Sequence, residues 1–172
     1  MKLILGAAEN VHPYHYKWVD ETWARVDKYV GGGDVLKMDA TALEFDDNSV
    51  EAIYASHLLE HFSYLKVPEI LRHWFNKLQS GGWLHLNVPD IEWAAGQILI
   101  PDKRSPIFNT NDAIIGGILY GSQAHEGEYH KSGYTKEILA RLLKEAGFTD
   151  VTVETDYEAH EMQVLLADCY KP

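Results

Sequence analysis

The sequence lacks the features that mark several large classes of protein. It has a single cysteine, Cys169, so an intramolecular disulfide framework is excluded and a reducing compartment is expected. No window approaches the ~20 apolar residues of a membrane span. Lysine and arginine form no clusters along the chain. We therefore expect a soluble, cytoplasmic protein that does not bind a membrane.

The composition describes a globular and acidic chain. Its 172 residues are 46% hydrophobic and 12% aromatic, which fits one domain over residues 1–172. The net charge of −11 argues against a nucleic-acid backbone as the main partner, since such a partner attracts basic surfaces. Aromatic residues such as Trp18 and Trp23 leave a homodimer contact open.

Short apolar segments alternate with helical segments along the chain. Strands are predicted at residues 2–5, 16–19, 34–38, 50–55, 83–88, 149–155 and 162–167. Helices are predicted at residues 67–79 and about 90–99, and from the Thr135 cap to Gly147, with a weak helix at 112–120. This alternation indicates an α/β fold with a mostly parallel sheet, and the last two strands add an antiparallel edge.

Ligands of such sheets lie at the carboxyl ends of the strands, which directs attention to the residues that follow each strand. These are Gly6, Asp20, Asp39 and the pair Ser56-His57. A carboxylate there accepts hydrogen bonds from a ribose diol or from an adenine amine. Asp27 competes with Asp20, because Arg25-Val26-Asp27 could be the true end of the second strand. Each acid could instead cap a turn.

The loop after the first strand lacks a glycine that nucleotide-binding loops usually contain. It reads Gly6-Ala7-Ala8, so the G-x-G-x-x-G pattern of nicotinamide-dependent enzymes is absent. Asp20 follows Gly6 by fourteen positions, and Pro13 lies between them, which leaves little room for a full crossing helix.

Taken together, the motifs resemble the class I S-adenosylmethionine (SAM)-dependent methyltransferases, and especially the small type-11 predicted methyltransferases that are often linked to sugar or polysaccharide pathways. The segments that carry this resemblance are LILGAAEN (3–10), WVD (18–20), DVLKMDATALEFDDNSVEAIYASHLLEHF (34–62), LQSGGWLHLNVPD (78–90) and YHKSGYTKEILARLLKEAGF (129–148). The resemblance implies a Rossmann-like three-layer sandwich, SAM as cofactor, and methyl transfer to a small acceptor, expected to be a hydroxyl of a sugar or related metabolite. The alternative is a methyltransferase-like domain without catalysis that serves as a binding or assembly module, which Ala8 and the short first crossing favour.

The resemblance also implies roles for individual residues. Asp20 would hold the ribose hydroxyls, and Asp39 with Ala40 would meet the adenine edge. Ser56 and His57 would line the site beside the sulfonium and the substrate. The loop of Gly6, Ala7, Ala8 and Asn10 would bind the cofactor near its methionine part, as a working variant of the family's loop.

Histidines supply candidate catalytic groups. If a helix starts at SHLLEH, His57 and His61 share a face and together with Glu60 suggest a metal site, which His125 and His130 could complete. Leu58 stands where a zinc protease has glutamate, so that motif is absent and no bound metal is expected. We expect His57 to be the general base for a hydroxyl acceptor, with His130 as second choice. Because many methyltransferases rely on proximity and alignment alone, a base could also be absent.

The segment 107–134 is rich in glycine, histidine and aromatic residues. In the family that it resembles, this region commonly contributes a lid or a substrate wall. Tyr120, Tyr129, His130 and Tyr134 could therefore grip a polar acceptor, or they could belong to a surface loop held by aromatic packing.

Overall fold

The structure, a computed structural model, describes residues 1–7, 19–100, 109–157 and 162–172. These residues form a seven-stranded sheet in the order β3-β2-β1-β4-β5-β7-β6. The strands are β1 Lys2–Leu5, β2 Ala24–Asp27, β3 Val35–Lys37, β4 Val50–Ser56, β5 Leu78–Pro89, β6 Thr149–Tyr157 and β7 Gln163–Tyr170. β1 to β5 pair in parallel, whereas β7 lies antiparallel between β5 and β6. The predicted α/β sheet with an antiparallel C-terminal edge is confirmed.

Helices connect the strands and carry the predicted caps. They are α1 Val67–Lys77, α2 Ile91–Leu99, α3 Asn111–Ala113, which continues as the π-helical segment Ile114–Leu119, and α4 Lys136–Ala146. The Thr135 hydroxyl accepts a hydrogen bond from the Ile138 N–H at the start of α4, and Gly147 ends this helix with a φ of 112°. None of the helices in the described ranges has the length and apolar character that a membrane crossing requires.

Side chains of the central strands alternate between two apolar clusters, as strand geometry requires. In β1, Leu3 and Leu5 belong to the main core, which α1 and α4 cover, while Ile4 packs into a smaller cluster on the other face. Trp74 of α1 is fully buried in the main core, and its indole N–H donates to the Ala40 carbonyl at 2.7 Å. This bond connects the core helix to the loop that follows β3.

The prediction of the second strand was wrong. Of residues 16–19, only Val19 lies within the described ranges, and it is outside any strand. β2 is instead Ala24–Asp27, with Val26 opposite Leu5 of β1. Val26 enters the main core, whereas Val19 and Trp23 pack in the smaller cluster. Trp23 is therefore a packing residue and does not offer the exposed dimer contact considered for it, while Trp18 lies outside the described residues.

The end of the first long helix also differs from the prediction. α1 ends at Lys77, because Leu78 takes an extended conformation and pairs with Val50 as the first residue of β5. Burial of Leu78 in the main core favours this arrangement over two more helical residues. Gly81, with φ of 75°, then lies where the pairing register between β4 and β5 shifts.

Candidate active site

The carboxyl ends of β1 to β4 meet at one edge of the sheet, as parallel pairing requires. Gly6 follows β1, Asp27 ends β2, Asp39 lies two positions after β3, and Ser56 ends β4. Gly6 has a φ of 70°, a conformation that favours glycine, and its N–H donates to the Val26 carbonyl at 2.8 Å. A Cβ at this position would lie 3.0 Å from Leu58 Cδ1, so the turn also packs closely against the segment after β4.

A cavity of about 160 Å³ opens at this edge. Its polar lining includes the Asp27 and Asp39 carboxylates, and Met38 and Leu58 contribute apolar side chains. Gly127 and Lys131 also line the cavity. The cavity therefore combines a small number of charged side chains with apolar walls, which is the usual composition of a small-molecule or cofactor site.

The Asp39 carboxylate is held ionised by its neighbours. Its Oδ1 accepts hydrogen bonds from the Thr41 N–H and hydroxyl at 2.9 and 2.8 Å, and its Oδ2 lies 2.8 Å from Lys28 Nζ. Partial burial opposes ionisation, but the bonds from Lys28 and Thr41 outweigh it and hold the Asp39 pKa below its ordinary value. The same bond raises the pKa of the Lys28 ammonium.

The Asp27 carboxylate organises the turn that follows β2. Its Oδ1 accepts hydrogen bonds from the Tyr29 and Val30 N–H groups at 2.8 and 2.9 Å. The Asp27 carbonyl accepts from the Met38 N–H at 2.9 Å, which places the ends of β2 and β3 side by side. Asp27, at the end of β2, and Asp39, just after the end of the adjacent β3, are therefore held side by side in the lining of the cavity.

Asp20, which the resemblance implies would hold the ribose hydroxyls, lies away from the cavity. It precedes β2, and its Oδ1 accepts hydrogen bonds from the Thr22 N–H and hydroxyl at 2.8 and 2.6 Å. These bonds, with a smaller effect from Lys2 at the start of β1, lower the pKa of Asp20. Because it stands at the amino end of β2, Asp20 does not line the cavity. Asp27 occupies the position that was expected for Asp20.

The other residues predicted to bind the cofactor differ in whether they line the cavity. Ala40 lines the cavity together with Gly6. Ala7 is buried in the smaller apolar cluster on the opposite face of the sheet, so its side chain packs and does not line the cavity. The hydroxyl of Ser56 is buried, and among the described residues it has no hydrogen-bond partner. Ala8 and Asn10 lie outside the described residues.

His57 follows β4 with a φ of 47° and donates its backbone N–H to the Asn87 carbonyl at 2.8 Å. The expected helix face shared with His61 does not form, because residues Leu59–His61 make a single 3₁₀ turn. His57 Nδ1 lies 3.2 Å from Oε1 of Glu60, whose side chain is 1% exposed. The Glu60 carboxylate therefore orients the imidazole ring of His57.

His61 instead meets His130, and their ring centroids are 4.9 Å apart. Ligand atoms of Glu60, His61 and His130 all lie within 4.8 Å of one another. We call these three side chains the Glu-His-His cluster. His125, which was expected to join them, is exposed and faces Glu128 at 3.5 Å. Of the four histidines considered for a metal, two are brought together.

Tyrosines of segment 107–134 divide between core and surface. Tyr134 is 2% exposed, and its hydroxyl donates to the Leu59 carbonyl at 3.2 Å. Burial raises the pKa of the Tyr134 phenol. The expectation that Tyr134 grips an acceptor is therefore replaced by a packing role, whereas Tyr120 and Tyr129 are exposed.

Some residues that line the cavity were not predicted from the sequence. Met38, Leu58 and Lys131 line the cavity, although the first two read as ordinary apolar residues and the third as a surface charge. Asp27 could have been preferred over Asp20 from one local signal. The three glycines at 31–33 mark the turn between two segments that both end in aspartate, at 27 and 39.

A model of a protein family described as "Methyltransferase domain" matches residues 11–153. This match covers most of the 172 residues, so the chain belongs to that methyltransferase-domain family. A search of curated proteins found no match.

Solved structures of SAM-dependent methyltransferases share the fold. The enzyme from Archaeoglobus fulgidus has a TM-score of 0.64 at 15% identity, over 99% of this chain and 85% of the other. A possible histamine N-methyltransferase from Thermotoga maritima has a TM-score of 0.66 at 15% identity, over 99% and 81%. The Burkholderia thailandensis 1,6-didemethyltoxoflavin N1-methyltransferase, solved with that substrate and S-adenosylhomocysteine, has 0.65 at 15%, over 99% and 70%.

The family and the fold agree with the resemblance seen in the sequence. The chain belongs to the methyltransferase-domain family and has the fold of the SAM-dependent methyltransferases named above. Its sheet is the Rossmann-like sheet of that class.

Proposed function

We propose that this protein, as a single domain over residues 1–172, transfers a methyl group from SAM to a hydroxyl of a small acceptor, a sugar or a related metabolite. The observation that carries the proposal is the cavity at the carboxyl ends of β1 to β3, which Asp27, Asp39 and His61 line. The resemblance to type-11 methyltransferases favours a sugar. The charge of −11 favours a small acceptor over a nucleic acid.

The residues of the cavity fit the cofactor. Asp27 would accept hydrogen bonds from the ribose hydroxyls, and Asp39 with the backbone of Ala40 would meet the adenine edge. Gly6 leaves the backbone close to the space where the methionine part would lie. Ser56 ends β4 at the same edge but is not among the residues that line the cavity; its buried hydroxyl, which has no partner among the described residues, would meet a polar group of the cofactor there.

The bound cofactor supplies a methyl group on a sulfonium, and the acceptor oxygen takes this methyl as the bond to sulfur breaks. His57 would receive the hydroxyl proton. Its Nδ1 faces the Glu60 carboxylate at 3.2 Å, so the neutral ring carries its proton there and the lone pair on Nε2. The buried Glu60 would stabilise the imidazolium that forms, as the carboxylate of a catalytic histidine–carboxylate pair does.

The test is calorimetric titration with S-adenosylhomocysteine of the wild type and two matched variants. We expect Asp27→Asn to weaken binding by about tenfold or more, since a hydrogen bond to a charged group contributes about 1.5–3 kcal/mol. Asp20→Asn, at the other end of β2, should leave the affinity unchanged. Equal losses in the two variants, or no binding by the wild type, would refute the assignment of this cavity to the cofactor.

The acceptor is tested separately by methyl transfer to a panel of sugars and hydroxylated metabolites. We expect His57→Gln to lower kcat while S-adenosylhomocysteine binding stays at the wild-type level. Transfer only to amines would refute the oxygen acceptor without affecting the cofactor assignment.

A further inference from the structure

The Glu-His-His cluster brings together three side chains whose chemistry suits a metal ion. Glu60 and His61 come from the turn after β4, and His130 comes from the segment before α4. One ligand atom of each lies within 4.8 Å of the other two. Two imidazole nitrogens and one carboxylate oxygen form a donor set that binds divalent transition metals.

Backbone carbonyls hold both imidazoles in one tautomer. His130 Nδ1 lies 2.8 Å from the Ile118 carbonyl, and His61 Nδ1 lies 3.3 Å from the Tyr129 carbonyl. Since a carbonyl only accepts, each neutral ring carries its proton on Nδ1 and presents its lone pair at Nε2. Metal-binding histidines are usually oriented by such a hydrogen bond from the other ring nitrogen.

The carboxylate of Glu60 has one oxygen that the fold leaves unpaired. Oε1 faces His57, whereas Oε2 is buried and has no hydrogen-bond partner among the described residues. A buried carboxylate oxygen without a partner is costly, and a cation at this place would remove the cost.

Hydrogen bonds tie the two segments of the cluster together. The Lys131 and Ser132 N–H groups donate to the Glu60 carbonyl at 2.7 and 3.1 Å, and the Ser132 hydroxyl donates to the Leu59 carbonyl at 3.2 Å. These contacts fix His130 relative to Glu60 before any ligand binds, so little ordering is needed for ligation.

We propose that Glu60 Oε2, His61 Nε2 and His130 Nε2 bind one divalent transition-metal ion. Three protein ligands leave coordination positions open, and because His61 also lines the cofactor cavity, the site borders the place where methyl transfer would occur. A hydroxyl that coordinates the metal loses its proton more readily, and His57 would accept that proton. This use of the metal rests on the proposed function, whereas metal binding itself does not. It also replaces the expectation that no metal binds and assigns His130 as a ligand instead of a base.

The test uses untagged, chelator-treated protein titrated with cobalt(II) chloride, followed by calorimetry and by the visible absorption of the ion. We expect one equivalent to bind. Glu60→Gln and His130→Ala should each weaken binding by at least about tenfold, because a loss of that size is typical even for residues that only hydrogen-bond to the metal ligands. His125→Ala, an exposed histidine outside the cluster, is the matched control and should bind as the wild type does. No stoichiometric binding, or equal binding by all variants, would overturn the proposal.

A measurement without substitution guards against variants that fail to fold. Imidazole nitrogen NMR with one equivalent of zinc should shift the Nε2 resonances of two histidines, and unchanged resonances would overturn the site. Titration of the same samples with S-adenosylhomocysteine separates the two proposals. Binding of S-adenosylhomocysteine without cobalt binding would refute the metal site alone. Cobalt binding without binding of S-adenosylhomocysteine would refute the cofactor assignment alone.

Discussion

The two halves of the sheet are built differently. β1, β2 and β3 have four, four and three residues, whereas β5, β6 and β7 have twelve, nine and eight. β2 and β3 pair at three positions, but β5 and β7 pair at every position from Trp83 to Pro89. The short strands end early, so the residues that follow them, such as Gly6 and Asp39, line a cavity. The long strands β5 and β7 contribute seven buried residues to the main core, whereas β1 and β2 contribute three.

This difference suggests a division of labour. Substitutions in the long half should lower the free energy of unfolding, and substitutions at the carboxyl ends of the short half should mainly lower ligand affinity. Four changes test that division.

The same substitution in the two halves should have the largest difference in effect. Leu84 of β5 is fully buried in the main core, while Leu36 of the edge strand β3 is 42% exposed. We expect Leu84→Ala to lower the free energy of unfolding by about 2–5 kcal/mol. Leu36→Ala should change it by less than about 0.5 kcal/mol. Urea unfolding measures both, and equal losses would contradict the division.

A substitution at the cavity should lower ligand affinity more than it lowers the free energy of unfolding. We expect Asp39→Asn to weaken S-adenosylhomocysteine binding by about 10- to 100-fold, because it removes a charged hydrogen-bond acceptor worth about 1.5–3 kcal/mol. The free energy of unfolding should fall by less than about 1 kcal/mol, since the ion pair with Lys28 is partly exposed. Asp47→Asn is the control, because Asp47 forms a comparable 2.7 Å pair with Lys77 outside the cavity. A similar loss of affinity in that variant would contradict the prediction.

Gly6→Ala tests the turn after β1. An alanine with a φ of 70° is strained, and the cost should be about 1–2 kcal/mol of unfolding free energy. The new Cβ would also press against Leu58, a wall of the cavity, so ligand affinity should fall as well. Gly96→Ala in α2 is the control, because a Cβ there meets no atom within 4 Å and alanine favours a helix. If Gly6→Ala behaved like Gly96→Ala in thermal unfolding and titration, the turn would not constrain the site.

The smallest expected effect is a pH dependence in the long half. Burial opposes ionisation of Asp168, but hydrogen bonds from His85 and Trp83 outweigh it and hold the Asp168 pKa below its ordinary value of 3.8. A lowered carboxyl pKa stabilises the folded state above the unfolded value, and this contribution is lost as the pH falls through the folded value. Because Asp168 is partly exposed, we expect less than about 1 kcal/mol.

Unfolding measured at about pH 6 and about pH 3 should show a smaller pH difference for Asp168→Asn than for the wild type. Asp34→Asn, an exposed carboxylate in the short half, is the control and should keep the wild-type difference. Identical profiles for the wild type and Asp168→Asn would show that His85 and Trp83 do not stabilise the carboxylate.

Elements with a strong local signal could be predicted from the sequence. β1 was predicted at its observed bounds, and α4 was predicted from Thr135 and Gly147, because capping and apolar periodicity act within a few residues. The second strand could not be chosen this way. Both candidate segments place a valine before an aspartate, and the choice depends on which valine packs against β1.

The candidate site shows the same limit. Asp39 was singled out because a strand plainly precedes it, and it lines the cavity. Glu60, His61 and His130 were considered as metal ligands together with His57 and His125, but the sequence could not show which of them meet, because sixty-eight positions separate His61 from Tyr129, the neighbour of His130. Periodicity along a chain carries no information about contacts at that distance.

By itself, the sequence determined the alternation of strands and helices, the antiparallel C-terminal edge and the resemblance to methyltransferases, since all three depend on patterns along the chain. The tertiary structure decided which aspartate ends β2, that Ala7 and Tyr134 pack inside, and that Glu60 meets His61 and His130. These outcomes depend on burial and on pairing between distant segments, where Val26 fits beside Leu5 and the segment before α4 bonds to the turn after β4.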